Sequence, residues 1–173
     1  CFLMTKKDAV IVYGAGISGR GAAQVLADRK QQVYLYNDMD CTLEPQLLQL
    51  LESVGGGLAI GQAAFEGLLD IAGVLVLSPG IACDNANVLL AEQRGLEVIS
   101  EVELGYRLYG GHIAAITGTN GKTTTTTIVG EMLKRLPEPS AVGGNIGLAL
   151  SKEVESLPQD LSLIHISEPT RPR

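Results

Sequence analysis

Residues 9–19 read AVIVYGAGISG, an apolar run that leads directly into three glycines with the spacing G-x-G-x-x-G. Ala9–Tyr13 predicts a short buried strand, and the apolar positions after the last glycine predict a helix. Gly14, Gly16 and Gly19 allow a tight turn, close approach of the backbone to a diphosphate and close helix-to-strand packing. The stretch therefore predicts the first strand–helix unit of an α/β domain with a parallel sheet.

A second predicted strand, Val33–Tyr36, ends in Asn37 and Asp38. An acidic side chain about 20 residues after a glycine loop of this kind is suited to binding a nucleoside. Close packing without a ligand would also explain the glycines, so the loop alone is weak evidence. Its position between one predicted strand and a second strand that ends in an acidic residue favours nucleotide binding.

The apolar run Val74–Leu77 predicts a further buried strand, which ends in Ser78, Pro79 and Gly80. Such a tip lies at the carboxyl edge of the sheet, where open α/β folds bind ligands. An ordinary turn is the alternative interpretation.

The other elements of the first domain are predicted from hydrophobic periodicity and from glycine or capping signals. Ser100 and Glu103 have the spacing of a capping box. Gly110-Gly111 predicts a domain boundary. The predicted helices span residues 43–54, 87–94 and 100–108, and the predicted strands span residues 58–60 and 97–99.

A second glycine turn follows the apolar run 112–116 and precedes a helix predicted over 123–136. Unpaired N–H groups at the start of that helix would point at phosphates, Lys122 would add charge for the terminal ones, and the Thr123 hydroxyl can bind Mg²⁺. Ile116 replaces the first glycine of the generic P-loop, and a solvated Gly/Thr-rich turn is the alternative. The predicted ATP-binding residues are Gly118, Thr119, Asn120, Gly121, Lys122, Thr123 and Thr124.

Two later segments leave alternatives open. Asn145, which follows Gly144, can bring its amide close to a ligand or can simply occupy a left-handed turn. Residues 161–173 resemble the translation of an adapter used in sequencing libraries, and we expect them not to be native. A genuine strand followed by a Pro/Arg tail is the other interpretation.

Composition limits the class of protein. The 173 residues are 46% apolar and carry 21 glycines, which is typical of an α/β protein. A net charge of −6 disfavours nucleic-acid binding. Three widely spaced cysteines indicate neither a disulfide framework nor a zinc site, so we expect a cytoplasmic location. We expect no membrane span, because no apolar run is long enough.

In combination, the Gly14 loop with Asp38, the Ser78 tip and the loop 118–124 resemble the Mur ligases, which use ATP to join a carboxylate to an amine. The likeness covers residues 4–160. It implies a Rossmann-like, parallel-sheet UDP-binding domain over 4–110, followed over 111–160 by the truncated start of a P-loop ATPase α/β domain.

The resemblance also implies roles for single residues. Ile17 and Ser18 in the glycine loop would contact the diphosphate, and Asp38 would contact the uracil. Gly80 would lie by the UDP region, and Asn145 would contact the sugar–peptide part of the substrate. The other UDP-side candidates are Gly14, Gly16, Gly19, Ser78 and Pro79.

Among Mur ligases, the order of these elements points to the member that adds D-glutamate to UDP-N-acetylmuramoyl-L-alanine, with ATP and Mg²⁺. Lys122 would be catalytic, neutralising the γ-phosphoryl group as it moves to the alanine carboxylate. The family's acidic metal ligand, histidine, carbamylated lysine and amino-acid-binding domain cannot be assigned here. We therefore expect this chain, as written, to have no ligase activity. We also expect a monomer. A non-catalytic UDP-sugar-binding module and an NAD-dependent oxidoreductase are the alternatives.

Overall fold

The structure, a computed structural model, describes residues 9–109, 113–116, 120–133, 135, 140–143, 152 and 162–166. Strands and helices alternate along them, which confirms the predicted α/β class. The strands are β1 (Ala9–Tyr13), β2 (Val33–Asn37), β3 (Gly57–Ile60), β4 (Ala72–Leu77), β5 (Glu97–Ser100), β6 (Ile113–Ile116), β7 (Ser140–Gly143) and β8 (Ser162–Ile166). The helices are α1 (Ile17–Asp28), α2 (Pro45–Ser53), α3 (Gln62–Leu68), α4 (Ala86–Gln93), α5 (Glu101–Leu108) and α6 (Lys122–Leu133).

The first five strands form one parallel sheet in the order β3-β2-β1-β4-β5. The strand order reverses at β1, which pairs with β2 on one side and with β4 on the other. After β1 the chain enters α1 on one face of the sheet, whereas after β4 it leads to α4 on the other face. The loops that leave β1 and β4 therefore lead to opposite faces of the sheet. In open α/β folds, this point at the carboxyl edge is where a ligand-binding crevice forms.

Helices cover both faces of this sheet, which explains why its central strands are almost continuously apolar. Every residue of β1 and β4 is buried. Val10 and Val12 pack towards α1, α2 and α5, while Ile11 and Tyr13 pack towards α3 and α4. The alternation along β1 thus divides the core into two layers.

Most predicted elements lie within two residues of the observed ones, but α3 was not predicted. This helix has only seven residues and begins after Gly61, which has a φ of +79°. Phe65 and Leu68 are its buried residues. Two apolar positions in a single turn are too few for hydrophobic periodicity to reveal a helix.

Helix α5 begins with the predicted cap, although the box is only half formed. Ser100 Oγ accepts a 3.1 Å hydrogen bond from the Glu103 N–H. The Glu103 carboxylate accepts from Arg107 Nε at 2.8 Å instead of turning back to Ser100. Arg107 also pairs with Glu97 on β5, so the helix is tied to the edge strand of the sheet.

The last three strands form a second parallel sheet in the order β6-β8-β7. Strand β8 lies within 161–173, the segment that we expected not to be native; its pairing does not test where that segment comes from. The predicted boundary at Gly110-Gly111 lies outside the described residues. Among the described helices, none is both long and apolar enough to cross a membrane.

Candidate functional site

The loop after β1 turns sharply because two of its glycines occupy positions that other residues could not. Gly14 has a φ of +104°, and its N–H donates to the Tyr36 carbonyl oxygen at 2.8 Å. A Cβ atom on Gly19 would lie 1.8 Å from the Gly14 carbonyl oxygen and 2.7 Å from Ser78 Oγ. The predicted close packing of helix on strand is therefore present.

The N-terminus of α1 is left without a cap. Its N-cap is Gly16, which has no side chain to accept a hydrogen bond, and the first turn contains no acidic residue. By contrast, Asn85 caps α4 and Ser100 caps α5 with their side-chain oxygens. Nothing lies within 4 Å of a Cβ atom built on Gly16, and Ile17 is 68% exposed. This end of the helix can receive an anion at its N–H groups.

The tip of β4 contacts the glycine loop directly. Ser78 is buried, and its hydroxyl donates to the Gly14 carbonyl oxygen at 3.0 Å. The Ser78 N–H donates to the Tyr13 carbonyl oxygen, also at 3.0 Å. Pro79 and Gly80, the next two residues, are exposed. Two segments that the sequence could only predict separately therefore form one surface.

Asp38 lies just after β2 at the same edge, and three side chains hold its carboxylate. Tyr13 Oη donates to Asp38 Oδ2 at 2.6 Å, and Tyr36 Oη donates to Oδ1 at 2.8 Å. Asn87 Nδ2, on α4, donates to the same Oδ1 at 3.2 Å. These donors come from β1, β2 and α4, so the acidic residue is fixed by tertiary contacts.

The two tyrosines are buried aromatic residues that remain protonated donors at neutral pH. Burial, followed by the hydrogen bond to Asp38, raises the pKa of both Tyr13 and Tyr36 above the ordinary value of 10.0. Their rings lie 4.8 Å apart, and the Tyr36 ring lies 4.7 Å from that of Phe65. Both tyrosines lie in predicted buried strands, where aromatic side chains usually belong to the core, so sequence alone does not mark them as site residues.

Arg20 is a further residue that the sequence did not single out. Its Nε donates to the Ala15 carbonyl oxygen at 2.8 Å, and its Nη1 donates to both carboxylate oxygens of Glu44, each at 2.8 Å. Its Nη2 donates to the Thr42 carbonyl oxygen at 2.9 Å. Arg20 therefore ties the glycine loop to the segment that follows Asp38.

A cavity of about 570 Å³ lies beside this edge, between α1 and α2. Asp38, Ser78 and Gly80 do not line it, so it is not the crevice formed by the strand tips. We place the candidate site at the strand tips, because the uncapped helix end and the fixed carboxylate lie there. The residues that line the cavity are Ile17, Arg20, Gly21, Gln24, Glu44, Gln46, Leu47, Leu50 and Lys152.

The second glycine turn is described in part. Gly121 has a φ of +77° and precedes α6, whose first residue is Lys122. The Thr125 N–H donates to the Gly121 carbonyl oxygen at 2.9 Å, so the turn leads directly into the helix. Asn120 and Thr124 are exposed. The other predicted groups, Gly118, Thr119, the Thr123 side chain and Asn145, lie outside the described residues.

The predicted Mg²⁺ site lies at the same turn. Among the described residues there is no group of three or more His, Cys, Asp or Glu side chains that could hold a metal ion. Mg²⁺ accepts hydroxyl, water and phosphate oxygens as ligands.

Two family models match the chain. One, described as Mur ligase MurD-like, N-terminal domain, matches residues 8–100. The other, described as Mur ligase middle domain, matches residues 116–170, a range that includes β8.

Curated relatives cover nearly the whole chain. A UDP-N-acetylmuramoylalanine--D-glutamate ligase of Oceanobacillus iheyensis is 41% identical over 155 residues, which are 90% of this chain and 34% of that protein. The protein of the same name from Caldanaerobacter subterraneus is 38% identical over 163 residues, which are 94% of this chain and 36% of that protein. The chain thus spans about a third of the length of these relatives.

Solved structures also match, at low identity. A pseudomurein peptide ligase type C from Methanothermus fervidus is 20% identical with a TM-score of 0.49, over 92% of this chain and 33% of that chain. The UDP-N-acetylmuramate:L-alanyl-gamma-D-glutamyl-meso-diaminopimelate ligase from Neisseria meningitides is 20% identical with a TM-score of 0.48, over 92% of this chain and 52% of that chain. These superpositions are too loose to support an inference.

Proposed function

This chain belongs to the Mur ligase family, and from that premise we propose that its first domain binds the UDP part of a muramoyl substrate. The proposed ligand contacts are those at the carboxyl edge of the first sheet. They are Gly14, Gly16, Ile17, Ser18, Gly19, Asp38, Ser78, Pro79 and Gly80, with Asn145 reaching the sugar–peptide part.

The observation that carries this proposal is the uncapped N-terminus of α1 at the point where the strand order reverses. A diphosphate would receive hydrogen bonds from the first-turn N–H groups of α1, and the helix dipole favours a negative charge there. Gly16 leaves room for close approach, because a Cβ atom there meets nothing within 4 Å. Asp38, an acceptor beside the loop, suits the N–H or O–H groups of a nucleoside.

The second domain, proposed over 111–160, would bind ATP through residues 118–124. Gly121 turns the chain into α6, and Lys122 begins that helix. A lysine at this position neutralises charge on the terminal phosphates, and Mg²⁺ bound with the nucleotide would stabilise the same charge. Thr123 is the proposed protein ligand to Mg²⁺.

For the whole protein we propose ATP-dependent addition of D-glutamate to UDP-N-acetylmuramoyl-L-alanine, as the names of the curated relatives suggest. The alanine carboxylate oxygen attacks the γ-phosphorus and ADP leaves. The amine of D-glutamate then attacks the acyl carbon, releasing phosphate and a proton and forming the amide. Positioning and charge neutralisation are the protein's main contributions to the first step.

This activity is proposed for the whole protein and not for the 173 residues alone, because they span about a third of the relatives' length. The whole protein would act in the cytoplasm, in the synthesis of peptidoglycan precursors. Its partners would be small-molecule substrates.

Titration calorimetry on the whole chain tests the proposal, with UDP-N-acetylmuramoyl-L-alanine, Mg-ATP and NADH as separate ligands. We expect the UDP substrate to bind and NADH not to bind. Binding of NADH without the UDP substrate would favour the oxidoreductase alternative. Binding of the UDP substrate without Mg-ATP would favour a UDP-sugar-binding module.

A further inference from the structure

The Asp38 carboxylate has an inner side held by protein and an outer side that faces solvent. Asp38 is exposed, whereas Tyr13 and Tyr36 are fully buried and Asn87 is 8% exposed. The two hydroxyls and the amide therefore reach the carboxylate from the core. Asn87 Nδ2 also donates to Tyr36 Oη at 3.1 Å, which joins the donors to one another.

This arrangement leaves acceptor capacity on the outer side. Among the described residues, Asp38 Oδ2 accepts one hydrogen bond, from Tyr13, and Oδ1 accepts two. Each carboxylate oxygen has two lone pairs. A ligand that offers an N–H or O–H group can thus bind Oδ2 without breaking the inner network.

Packing alone does not explain the hydroxyl groups. The Tyr13, Tyr36 and Phe65 rings already form an aromatic cluster, in which phenylalanine at all three positions would bury the same ring surface. Each buried hydroxyl instead requires a hydrogen-bond partner, and for Tyr13 and Tyr36 that partner is the same carboxylate.

We propose that the Tyr13 and Tyr36 hydroxyls and the Asn87 amide are positioning groups that hold the Asp38 carboxylate in place as the acceptor for the nucleoside of the bound substrate. The identity of that ligand, a uridine diphosphate, rests on the proposed function. None of the three groups needs to touch the ligand. They act by restricting the carboxylate to one orientation, so that less conformational freedom is lost on binding.

A double-mutant cycle on the whole chain tests this inference, with UDP as the probe and calorimetry as the readout. The variants are Tyr36→Phe, Asp38→Ala and the two together. We expect Tyr36→Phe to weaken UDP binding about tenfold, because the Asp38 carboxylate loses one of the hydrogen bonds that restrict its orientation. In the Asp38→Ala background the same change should alter the affinity by less than about twofold, because Tyr36 acts only through Asp38.

Tyr34→Phe is the matched control on the same strand. Its hydroxyl donates to the Gly55 carbonyl oxygen at 3.0 Å, away from Asp38, so UDP affinity should stay within about twofold of the original. Circular dichroism checks that each variant folds, and Tyr13→Phe replaces Tyr36→Phe in the cycle if the latter does not fold.

The two proposals fail in different ways. If the chain without substitutions does not bind UDP, both the proposed function and this inference are wrong. A chain that binds UDP but is indifferent to Tyr36→Phe would overturn the inference alone. Equal losses from Tyr36→Phe with and without Asp38 would do the same, because they would show a role independent of the carboxylate.

Discussion

The Ser78 hydroxyl donates a 3.0 Å hydrogen bond to the Gly14 carbonyl oxygen, across 64 residues of sequence. The bond joins the tip of β4 to the turn after β1, and both partners lie at the point where the strand order reverses. It therefore fixes the relative position of the two loops that form the crevice.

Ser78→Ala should lower the free energy of unfolding by about 1–2 kcal/mol, because the buried Gly14 carbonyl oxygen loses its side-chain donor. Urea denaturation followed by circular dichroism measures the change. Ser53→Ala is the control, since Ser53 Oγ donates to the Leu50 carbonyl oxygen at an exposed position. The control should cost no more than about 0.5 kcal/mol, and equal losses in the two variants would contradict the prediction.

Gly19→Ala should destabilise the chain by about 1–3 kcal/mol, since the added methyl group would collide with the Gly14 backbone and force α1 away from the sheet. Thermal unfolding gives the measurement. Gly67→Ala is the comparison, because Gly67 lies in α3 and a Cβ atom there meets nothing within 4 Å. That change should be neutral or stabilising by up to about 1 kcal/mol. Equal changes in stability for the two alanine variants would contradict the predicted collision at Gly19.

Gly16→Asp should affect stability and ligand binding in opposite directions. An aspartate at the N-cap of α1 stabilises the helix by about 0.5 kcal/mol. Its carboxylate would repel the diphosphate, so we expect the affinity for UDP to fall by about tenfold or more. Calorimetry and thermal unfolding measure the two effects. Gly16→Asn is the control, because asparagine is an uncharged cap; it should keep the gain in stability and lose less affinity for UDP. Unchanged UDP binding in Gly16→Asp would argue against a diphosphate at this helix end.

Stability should fall at alkaline pH because of Tyr13 and Tyr36. Their pKa values are raised in the folded state, so above pH 10.0 the unfolded chain loses phenol protons that the folded chain retains. The free energy of unfolding is then constant below about pH 10 with respect to these groups and decreases above it. Tyr36→Phe should remove up to about 1.4 kcal/mol per pH unit from that slope. Urea denaturation across this pH range measures the slope, with Tyr34→Phe as the comparison. An unchanged slope in Tyr36→Phe would contradict the prediction.

Lys122→Ala should weaken Mg-ATP binding by about tenfold or more while leaving UDP binding unchanged, because the lysine begins α6 in the second domain. Calorimetry with each nucleotide in turn measures both affinities. Arg135→Ala removes an exposed cation beyond the other end of α6 and should affect neither. Equal Mg-ATP affinity before and after the lysine change would remove the basis for the phosphate-binding role.

Local sequence was enough to predict the strands of the first sheet, most of its helices and the glycine turn after β1. An apolar run such as Val74–Leu77 favours a strand, and a glycine such as Gly95 ends a helix. Both effects depend on residues close together in the sequence, so they can be predicted without the tertiary structure. Gly14 and Gly19 were likewise predictable, because a positive φ at the first and a close backbone approach at the second exclude other residues. Helix α3 was too short for hydrophobic periodicity to predict it.

The site itself needed contacts between residues far apart in the chain. Sequence identified Asp38 as an acidic residue after a strand, but only the folded sheet brings Tyr13 and Asn87 to its carboxylate, across separations of 25 and 49 residues. The amino-acid sequence by itself thus determined the α/β class, the glycine turns and the candidate ligand types. The tertiary structure decided which side chains hold Asp38 and which loop meets Gly14, because those hydrogen bonds depend on strand order and helix packing.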